Sequence, residues 1–381
     1  MMGRFMLNII TRLFRPEDPR STAQFPSLLF DSHFHEARHK VIIMADGAGA
    51  TQRISFDLPL RARREKGDVA LAIFQESAIA SPQDMTALLS ALRPTIVVAS
   101  RFGGIGAEQI ASYCRSASIP LITHFDDDLF DVPLALGKAK YDRYHDRTRQ
   151  QNMRLLCEAA DCLYLSTEQL KSRFEMYKFG PQMVAGEIYC PIPDTIKRGL
   201  SNKKLFGYMG TAGHAEDLQQ VLPAIETALN RIPDLSFETF GSIKMPMLLQ
   251  KKFGNRVRSI APTADYSAFL QRMRELDWMV GLAPLERNSF NDCKADTKFI
   301  EYVSAGILPV PATGPVYSRI CAATGVPQLD NELWGERIYE LMSGPHTEAS
   351  RFLGDIQDRL TASYSLSMLE KQVADILMLD G

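Results

Sequence analysis

The sequence has no long apolar run, no paired cysteine motif and little net charge, and each absence excludes a class of protein. No stretch of about 18 apolar residues occurs, so we expect no membrane-spanning helix, and the N-terminus lacks the features of an export signal. The six cysteines lie far apart, without a Cys-x-x-Cys pair or zinc-like spacing, which indicates reduced thiols and no structural zinc. A net charge of −2 gives no indication of nucleic-acid binding. The composition predicts a cytoplasmic globular protein.

The length and the order of apolar segments predict two α/β domains. A chain of 381 residues exceeds one ordinary core, and strand-like runs such as residues 39–45 alternate with helical segments in both halves. This alternation predicts two doubly wound, Rossmann-like sheets facing a cleft, with ligands outside the carboxyl ends of the strands. Prolines at 191 and 193 and a polar stretch at 197–204 interrupt it. We therefore expect an N-terminal domain at 21–195 and a C-terminal domain at 196–381, whose last helix packs back on the first domain.

The first 20 residues form a separate amphipathic segment. On a helical wheel, the apolar residues between positions 4 and 15 share one side, and Arg4, Arg12 and Arg15 lie on the other. Pro16 ends the pattern. The segment is either a helix packed on the protein itself or an interfacial helix that binds an anionic membrane surface.

The most informative stretch is residues 290–310. It predicts a helix over 294–305 that follows a strand and ends before Gly306, so its first turn offers free backbone N–H groups and the positive end of the helix dipole. Lys294, Lys298 and Glu301 fall at spacings of four and three, on one face of such a helix. Cations suit a diphosphate and a carboxylate suits a ribose diol, although an ordinary amphipathic helix has the same pattern.

The order Lys-x3-Lys-x2-Glu-Tyr-x3-Gly-x2-Pro-Val closely resembles the donor-binding helix of GT-B glycosyltransferases, in particular those like family 4 that act in bacterial polysaccharide assembly. Residues 207–218 resemble the first strand and turn of the donor domain, and Gly241 the end of its second strand. Residues 46–53 resemble the first loop of the N-terminal domain, and 120–129 a stretch beside the active-site cleft. The resemblance implies two sets of site residues: Gly210, Thr211, His214, Lys294, Lys298 and Glu301 for the donor, and Gly47, Gly49 and Arg53 in the acceptor loop.

Two departures from the family pattern concern charge. Cys293 stands where family 4 carries the first glutamate of a Glu-x7-Glu pair. Thr211 and the pair Glu216 and Asp217 occupy the region of its usual Arg and Lys. Neutralisation of phosphate would therefore depend on Lys294 and Lys298, and the retaining stereochemistry of the family is not implied.

Three consecutive aspartates, residues 126–128, follow a predicted strand that contains His124. Asp126 and Asp128 form an Asp-x-Asp pair of the type that holds Mg²⁺ or Mn²⁺. In a two-domain transferase, however, lysines and a helix N-terminus stabilise the leaving diphosphate, so we expect a cleft wall and no metal cofactor. His124, or one of Asp126, Asp127 and Asp128, would then accept the proton of the acceptor hydroxyl in an inverting reaction or orient the substrates in a retaining one. A helix cap is the structural alternative for Asp128.

The sequence as a whole predicts a metal-independent hexosyltransferase. Its expected partners are a nucleotide-diphosphate sugar and a glycan or lipid-linked acceptor, with a location in the cytoplasm, peripheral on the inner face of the membrane. Three alternatives stay open. One is a metal-dependent GT-A transferase using Asp126 and Asp128, one is a non-catalytic GT-B scaffold, and one is a metal hydrolase built on His33 and His35.

Overall fold

The computed structural model describes residues 28–47 and 49–380, which form two compact α/β units. The first unit contains the described residues up to Val132, Asp142–Glu187 and the residues from Leu369 onward. The second contains Pro133–Tyr141 and Ile188–Met368. The amphipathic segment predicted within residues 1–20 lies outside the described residues.

The first unit is built on a seven-stranded sheet in the order β1-β3-β2-β4-β5-β6-β7, in which β1 is antiparallel to β3 and the other pairs are parallel. Its strands are β1 (Leu28–Phe30), β2 (His39–Ala45), β3 (Val69–Gln75), β4 (Ile96–Ser100), β5 (Leu121–Phe125), β6 (Cys162–Leu165) and β7 (Gln182–Ala185). Its helices are α1 (Leu58–Glu65), α2 (Pro82–Leu92), α3 (Ala107–Ala117), α4 (Lys138–His145), α5 (Arg147–Ala159) and α6 (Glu168–Glu175). A π-helical turn, Arg53–Asp57, leads into α1, and α4 begins in the second unit.

The second unit has a five-stranded parallel sheet in the order β10-β9-β8-β11-β12. Its strands are β8 (Leu205–Met209), β9 (Ser236–Phe240), β10 (Val257–Ile260), β11 (Val280–Ala283) and β12 (Leu308–Pro311). Its helices are α7 (Ala215–Gln220), α8 (Leu222–Arg231), α9 (Met247–Phe253), α10 (Tyr266–Glu275), α11 (Thr297–Ser304), α12 (Pro315–Thr324), α13 (Trp334–Ser343) and α14 (His346–Ser363). This is the predicted doubly wound arrangement.

The central strands are largely apolar because helices cover them. Strands β2, β4 and β5 are buried on both faces, as expected for parallel strands covered by helices on both sides. The last helix, α15 (Leu366–Ile376), contributes Leu369 and Val373 to the same cluster as Val41 and Ile43 of β2. The C-terminal residues therefore complete the core of the first unit.

The apolar and polar patterns predict continuous helices over residues 141–160, 215–231 and 294–305, and the structure interrupts or shortens all three. The segment 141–160 divides at Asp146, whose carboxylate accepts from the Arg149 amide at 2.8 Å and caps α5. The segment 215–231 divides at Val221, just before Pro223, which has no N–H to continue the first helix. The segment predicted from Lys294 becomes helical only at Thr297. The edge strands β1 and β7 are short, and the apolar pattern did not predict them.

Candidate functional site

The strand order of the second unit identifies where a ligand binds. The sequence of strands reverses between β8 and β11, and ligands of open α/β sheets bind outside the carboxyl ends at this point. The buried hydroxyl of Tyr302 joins the two strand ends, since it accepts from the Met209 amide at 3.1 Å and donates to the Leu282 carbonyl at 2.9 Å. The loop that follows β8 therefore has a fixed position at this crevice.

Gly210 begins that loop and is held by the neighbouring strand end. Its amide donates to the Phe240 carbonyl at 3.0 Å, and its carbonyl accepts from the Ile243 amide at 3.1 Å. Gly241 has φ +112°, and a side chain there would collide with the Gly210 carbonyl oxygen. Glycine at 241 therefore permits close approach of the two loops. Thr211 follows Gly210 and is exposed.

Lys298 lies beside this loop, in the first turn of α11. Its ammonium is 4.3 Å from the centroid of the Tyr208 ring, a cation–π contact with the penultimate residue of β8. Within residues 28–47 and 49–380 no hydrogen-bond acceptor contacts this ammonium. Burial lowers the pKa of Lys298 to about 8, although Asp217 and Glu301 act in the opposite direction. A half-buried cation without an acceptor among the described residues is suited to an anionic ligand.

Glu301 lies one turn further along α11 and is buried. Burial raises the pKa of Glu301 to about 7, while a hydrogen bond with Tyr266 and the charge of Lys298 act to lower it. The Tyr266 hydroxyl is also 3.8 Å from Cys190 Sγ. The carboxyl group is thus positioned by Tyr266 near a lysine, and it changes protonation near neutral pH.

His214 forms an ion-pair-like contact with Asp217, at 2.7 Å between Nδ1 and Oδ2. The other oxygen of Asp217 accepts from the Glu286 amide at 2.8 Å, so this buried carboxylate fixes the loop after β11. Burial lowers the pKa of His214 despite the hydrogen bond to Asp217. Asp217 therefore adds a negative charge beside Lys298, in the region where the resembled family usually carries cations.

Lys294 precedes α11 instead of lying on it. Its backbone is extended, after the short 3-10 turn Asn291–Cys293, so the predicted common helix face for Lys294, Lys298 and Glu301 is wrong for Lys294. Its ammonium contacts the Phe290 ring at 4.7 Å, and its charge acts on both Lys298 and His214. Lys294 is therefore near the other site residues through the loop conformation.

In the first unit, a network of charges occupies the corresponding reversal of strand order between β2 and β4. Arg101 follows β4 with φ +56°, an uncommon backbone conformation for a non-glycine residue. Its guanidinium donates to Asp126 Oδ1 at 2.8 Å and to the Tyr144 hydroxyl at 3.1 Å, and lies 3.3 Å from Asp46 Oδ2. Burial alone would lower the pKa of Arg101, but Asp126 and Asp46 raise it well above its ordinary value. Asp126 also accepts from the Thr51 hydroxyl at 2.7 Å.

His124 is placed in the core of the first unit and has no solvent exposure. Its Nδ1 lies 3.0 Å from the Ser100 hydroxyl, and its ring contacts Phe56 and Tyr164 at centroid distances of 5.0 and 4.9 Å. Burial lowers the pKa of His124 to about 4, so the imidazole is neutral at physiological pH. This geometry supports a packing role more than proton transfer with a substrate.

The other two aspartates differ from each other. Asp128 is buried and accepts from Arg173 at 2.9 Å and from the Tyr177 hydroxyl at 2.8 Å, and it also accepts from the Phe130 amide. These bonds identify Asp128 as structural, although it does not cap a helix. Asp127 is half-buried, and its charge acts on Arg101. Asp127 is therefore better placed for substrate contact than Asp128 or His124.

The predicted acceptor loop has space beside its glycines, whereas Arg53 at its end is held by an ion pair. Side chains added at Gly47 or Gly49 would meet no atom of residues 28–47 and 49–380 within 4 Å, so the described part of the chain leaves space beside both positions. Arg53 instead forms an ion pair with Asp57 at 2.6 Å within the π-helical turn. The open glycines, rather than Arg53, leave room for a ligand in this unit.

Several site residues were not predicted, above all Tyr208, Asp217, Tyr266 and Arg101. A general rule would have found one of them: polar residues that directly follow parallel strands share one edge of the sheet. Asp46 follows β2, Arg101 follows β4 and Asp126 follows β5. The two tyrosines carry no such signal, since aromatic residues are common in cores.

The described part of the chain contains neither a cluster of metal ligands nor a membrane-spanning helix. Among residues 28–47 and 49–380, no group of three or more His, Cys, Asp or Glu side chains is arranged to hold a metal ion. Over the same part of the chain, no helix is long and apolar enough to cross a membrane.

The sequence matches no protein-family model and no curated protein, whereas the structure has many solved counterparts. Pneumococcal O-GlcNAc transferase GtfA, solved with UDP and GlcNAc, gives a TM-score of 0.56 at 12% identity over 81% of this chain. Sucrose-phosphate synthase from Thermosynechococcus elongatus gives 0.59 at 11% identity, covering 89% of this chain and 98% of that one. A protein assigned as UDP-N-acetylglucosamine 2-epimerase from Listeria monocytogenes gives 0.53 at 10% identity, covering 90% and 97%.

These similarities establish the fold. The two Rossmann-like units, one with a parallel sheet and one with a sheet that is parallel except for β1, are those of the GT-B fold, as the sequence predicted. The GT-A alternative is therefore wrong. The chain covers only 60% of GtfA, about three fifths of its length. Since GT-B neighbours include both a transferase and an assigned epimerase, the activity has to be inferred from the site.

Proposed function

We propose that this protein is a GT-B glycosyltransferase that moves a hexose from a nucleotide-diphosphate sugar to a hydroxyl group of a glycan or lipid-linked acceptor. The observation that carries the proposal is Lys298, an ammonium held over Tyr208 at the reversal of strand order in the second sheet. Lys294 adds a second cation, and Glu301 supplies an acceptor for ribose hydroxyls. Neighbours such as GtfA, solved with UDP, support the choice of donor.

Stabilisation of the leaving group is the chemistry that this site offers. Breaking the bond between the sugar and the diphosphate develops negative charge on the phosphate, and fixed cations in a poorly solvated site stabilise that charge. Lys298 and Lys294 would serve this purpose without a metal ion. The acceptor would bind in the first unit, near the open loop with Gly47 and Gly49, where Asp127 is the favoured candidate for accepting the hydroxyl proton.

A screen of nucleotide sugars tests this proposal. Purified protein is incubated with UDP-, GDP-, ADP- and dTDP-linked sugars, and both thermal protection and release of the nucleoside diphosphate are measured. We expect one donor to protect the fold and to be consumed faster when a glycan or lipid-linked acceptor is present. Protection without turnover would instead support the scaffold alternative. The absence of both protection and turnover with every donor would contradict the proposal.

Epimerisation is a second candidate because one structural neighbour is assigned to it. An epimerase changes the sugar without needing an acceptor hydroxyl, so the two reactions differ in acceptor dependence. Product analysis by mass spectrometry separates a sugar of unchanged mass from a sugar joined to an acceptor. The finding of acceptor-independent isomerisation would replace the transferase assignment.

We also propose a cytoplasmic location and peripheral binding to anionic membranes through residues 4–15, in support of polysaccharide assembly on lipid-linked acceptors. The support is the apolar face of this segment with three arginines beside it. Deleting residues 1–16 should weaken binding to anionic liposomes at low salt while the remaining chain stays folded by circular dichroism. If the truncated protein unfolds, the segment has a structural role instead.

A further inference from the structure

Helix α9 exposes two large apolar side chains next to each other. Met247 is 73% exposed and Leu248 is 60% exposed, whereas Leu249 and Phe253 on the opposite side are buried. Single exposed apolar residues are common on protein surfaces. Two adjacent ones at the start of a helix, with the helix anchored from behind, form an apolar tip that the fold of this unit does not use.

Lysines surround this tip in a regular arrangement. Lys251 lies four residues after Met247, and Lys252 four residues after Leu248, so each lysine sits one turn behind an apolar side chain on the same face. Lys244 precedes the helix and is exposed. Among residues 28–47 and 49–380, neither Lys244 nor Lys251 has an ion-pair partner, while Lys252 pairs with Glu226.

Apolar side chains at the start of a helix, with cations one turn further along it, match the order of groups in a bilayer interface. An interfacial element buries its apolar side chains at the boundary of the acyl chains and keeps its lysines at the level of the headgroups. Anionic headgroups complement the unpaired charges of Lys244 and Lys251, and an uncharged apolar partner would not. The charge pattern therefore favours a lipid surface as the occupant.

We propose that the surface formed by Lys244, Met247, Leu248 and Lys251, the α9 surface, binds anionic lipid headgroups and inserts its two apolar side chains. The loop that leads into α9 is hydrogen-bonded to the candidate donor loop, because Ser242 Oγ accepts from the Ala212 amide at 3.0 Å. A membrane bound at the α9 surface would lie next to that loop. The proposal does not depend on the glycosyltransferase activity or on residues 1–16.

A tryptophan reporter tests the proposal in the full-length chain. Both native tryptophans, Trp278 and Trp334, are fully buried, so a Leu248→Trp variant adds the emission of one exposed indole. Vesicles of equal parts phosphatidylcholine and phosphatidylglycerol should shift that emission to shorter wavelength, and pure phosphatidylcholine should not. Leu333→Trp is the matched control, since Leu333 is 54% exposed beside acidic residues. Its emission should stay unchanged with both vesicles.

Binding measurements provide the second readout. Lys251→Glu reverses one charge, and each basic residue near an anionic surface is worth roughly fivefold in affinity, so this variant should bind the mixed vesicles at least fivefold more weakly. Met247→Ser with Leu248→Ser should weaken binding further, and Lys371→Glu, an exposed lysine elsewhere, should not. The proposal is overturned if the indole at 248 shows no shift with the mixed vesicles, or if Lys251→Glu binds them as the wild type does.

Discussion

Lys298 offers the sharpest test of the donor site, because its replacement separates function from stability. Lys298→Met removes the ammonium and keeps most of the side-chain volume. Burial lowers the pKa of Lys298 to about 8, so the folded protein disfavours its charge. We therefore expect the variant to be at least as stable as the wild type, although it loses the contact with Tyr208.

The expected cost appears in donor binding. A hydrogen bond to a charged group contributes about 1.5 to 3 kcal/mol, and each 1.4 kcal/mol corresponds to about tenfold in affinity. Lys298→Met should therefore weaken binding of the nucleoside diphosphate by roughly 10- to 150-fold. Isothermal titration with UDP, GDP and ADP measures this effect without a known acceptor.

The pH dependence of binding identifies the group responsible. The free protein loses the Lys298 proton as pH rises through about 8, and a diphosphate binds the protonated form. Wild-type affinity should therefore fall above this pH, by up to about tenfold per pH unit for one linked proton. The affinity of Lys298→Met should be constant over the same range.

Stability responds in the opposite direction. The folded-state pKa of about 8 lies below the ordinary value of 10.5, so between these two values the unfolded chain binds more protons. The wild type should gain stability relative to Lys298→Met as pH rises through this window. Lys371→Met, at an exposed position, is the matched control. Equal diphosphate affinity and identical pH profiles for wild type and Lys298→Met would refute the reasoning.

Three further predictions concern other groups. Glu301→Gln keeps the side-chain shape but not the charge, so donor affinity should fall about tenfold. The pKa of Glu301 is about 7, so any change of wild-type donor affinity near this pH that comes from Glu301 should be absent in the variant. Asp217→Asn removes a charge that raises the pKa of Lys298, so the loss of donor affinity should begin at lower pH than in the wild type; an unchanged profile would contradict the coupling. Arg101→Met leaves Asp46 and Asp126 without their cation and should cost about 3 to 5 kcal/mol in chemical denaturation; adding Asp126→Asn should restore part of this stability, and additive losses would argue against the ion pair.

Local sequence patterns determined the fold class. The strand-like runs and their spacing by helices predicted two doubly wound sheets. Apolar periodicity and the spacing of elements can be read from residues that are close together in the sequence. The apolar runs at 39–45, 204–209 and 235–240 predicted β2, β8 and β9, and the helical pattern at 266–275 predicted α10. The resemblance to the GT-B donor domain, and not the apolar pattern, implied that Gly241 lies at a strand end, where its φ is positive.

The arrangement of the sites depended on tertiary structure. Lys298 and Glu301 share a helix face and were predicted together, but Lys294 reaches them only through an extended loop. The contact of Lys298 with Tyr208 and the bridge from Asp217 to the Glu286 amide join residues 90 and 69 positions apart in sequence. No local pattern carries such information, because those distances are set by how strands pack.

Burial likewise separated four residues that look alike in sequence. His124, Asp126, Asp127 and Asp128 form one polar cluster along the chain, yet alternation of side chains across β5 and the turn after it send them to different surroundings. His124 enters the core, Asp126 pairs with Arg101, and Asp128 is held by Arg173. Sequence determined which polar groups stand at the strand end, and only the packing of neighbouring elements decided which of them lost contact with solvent.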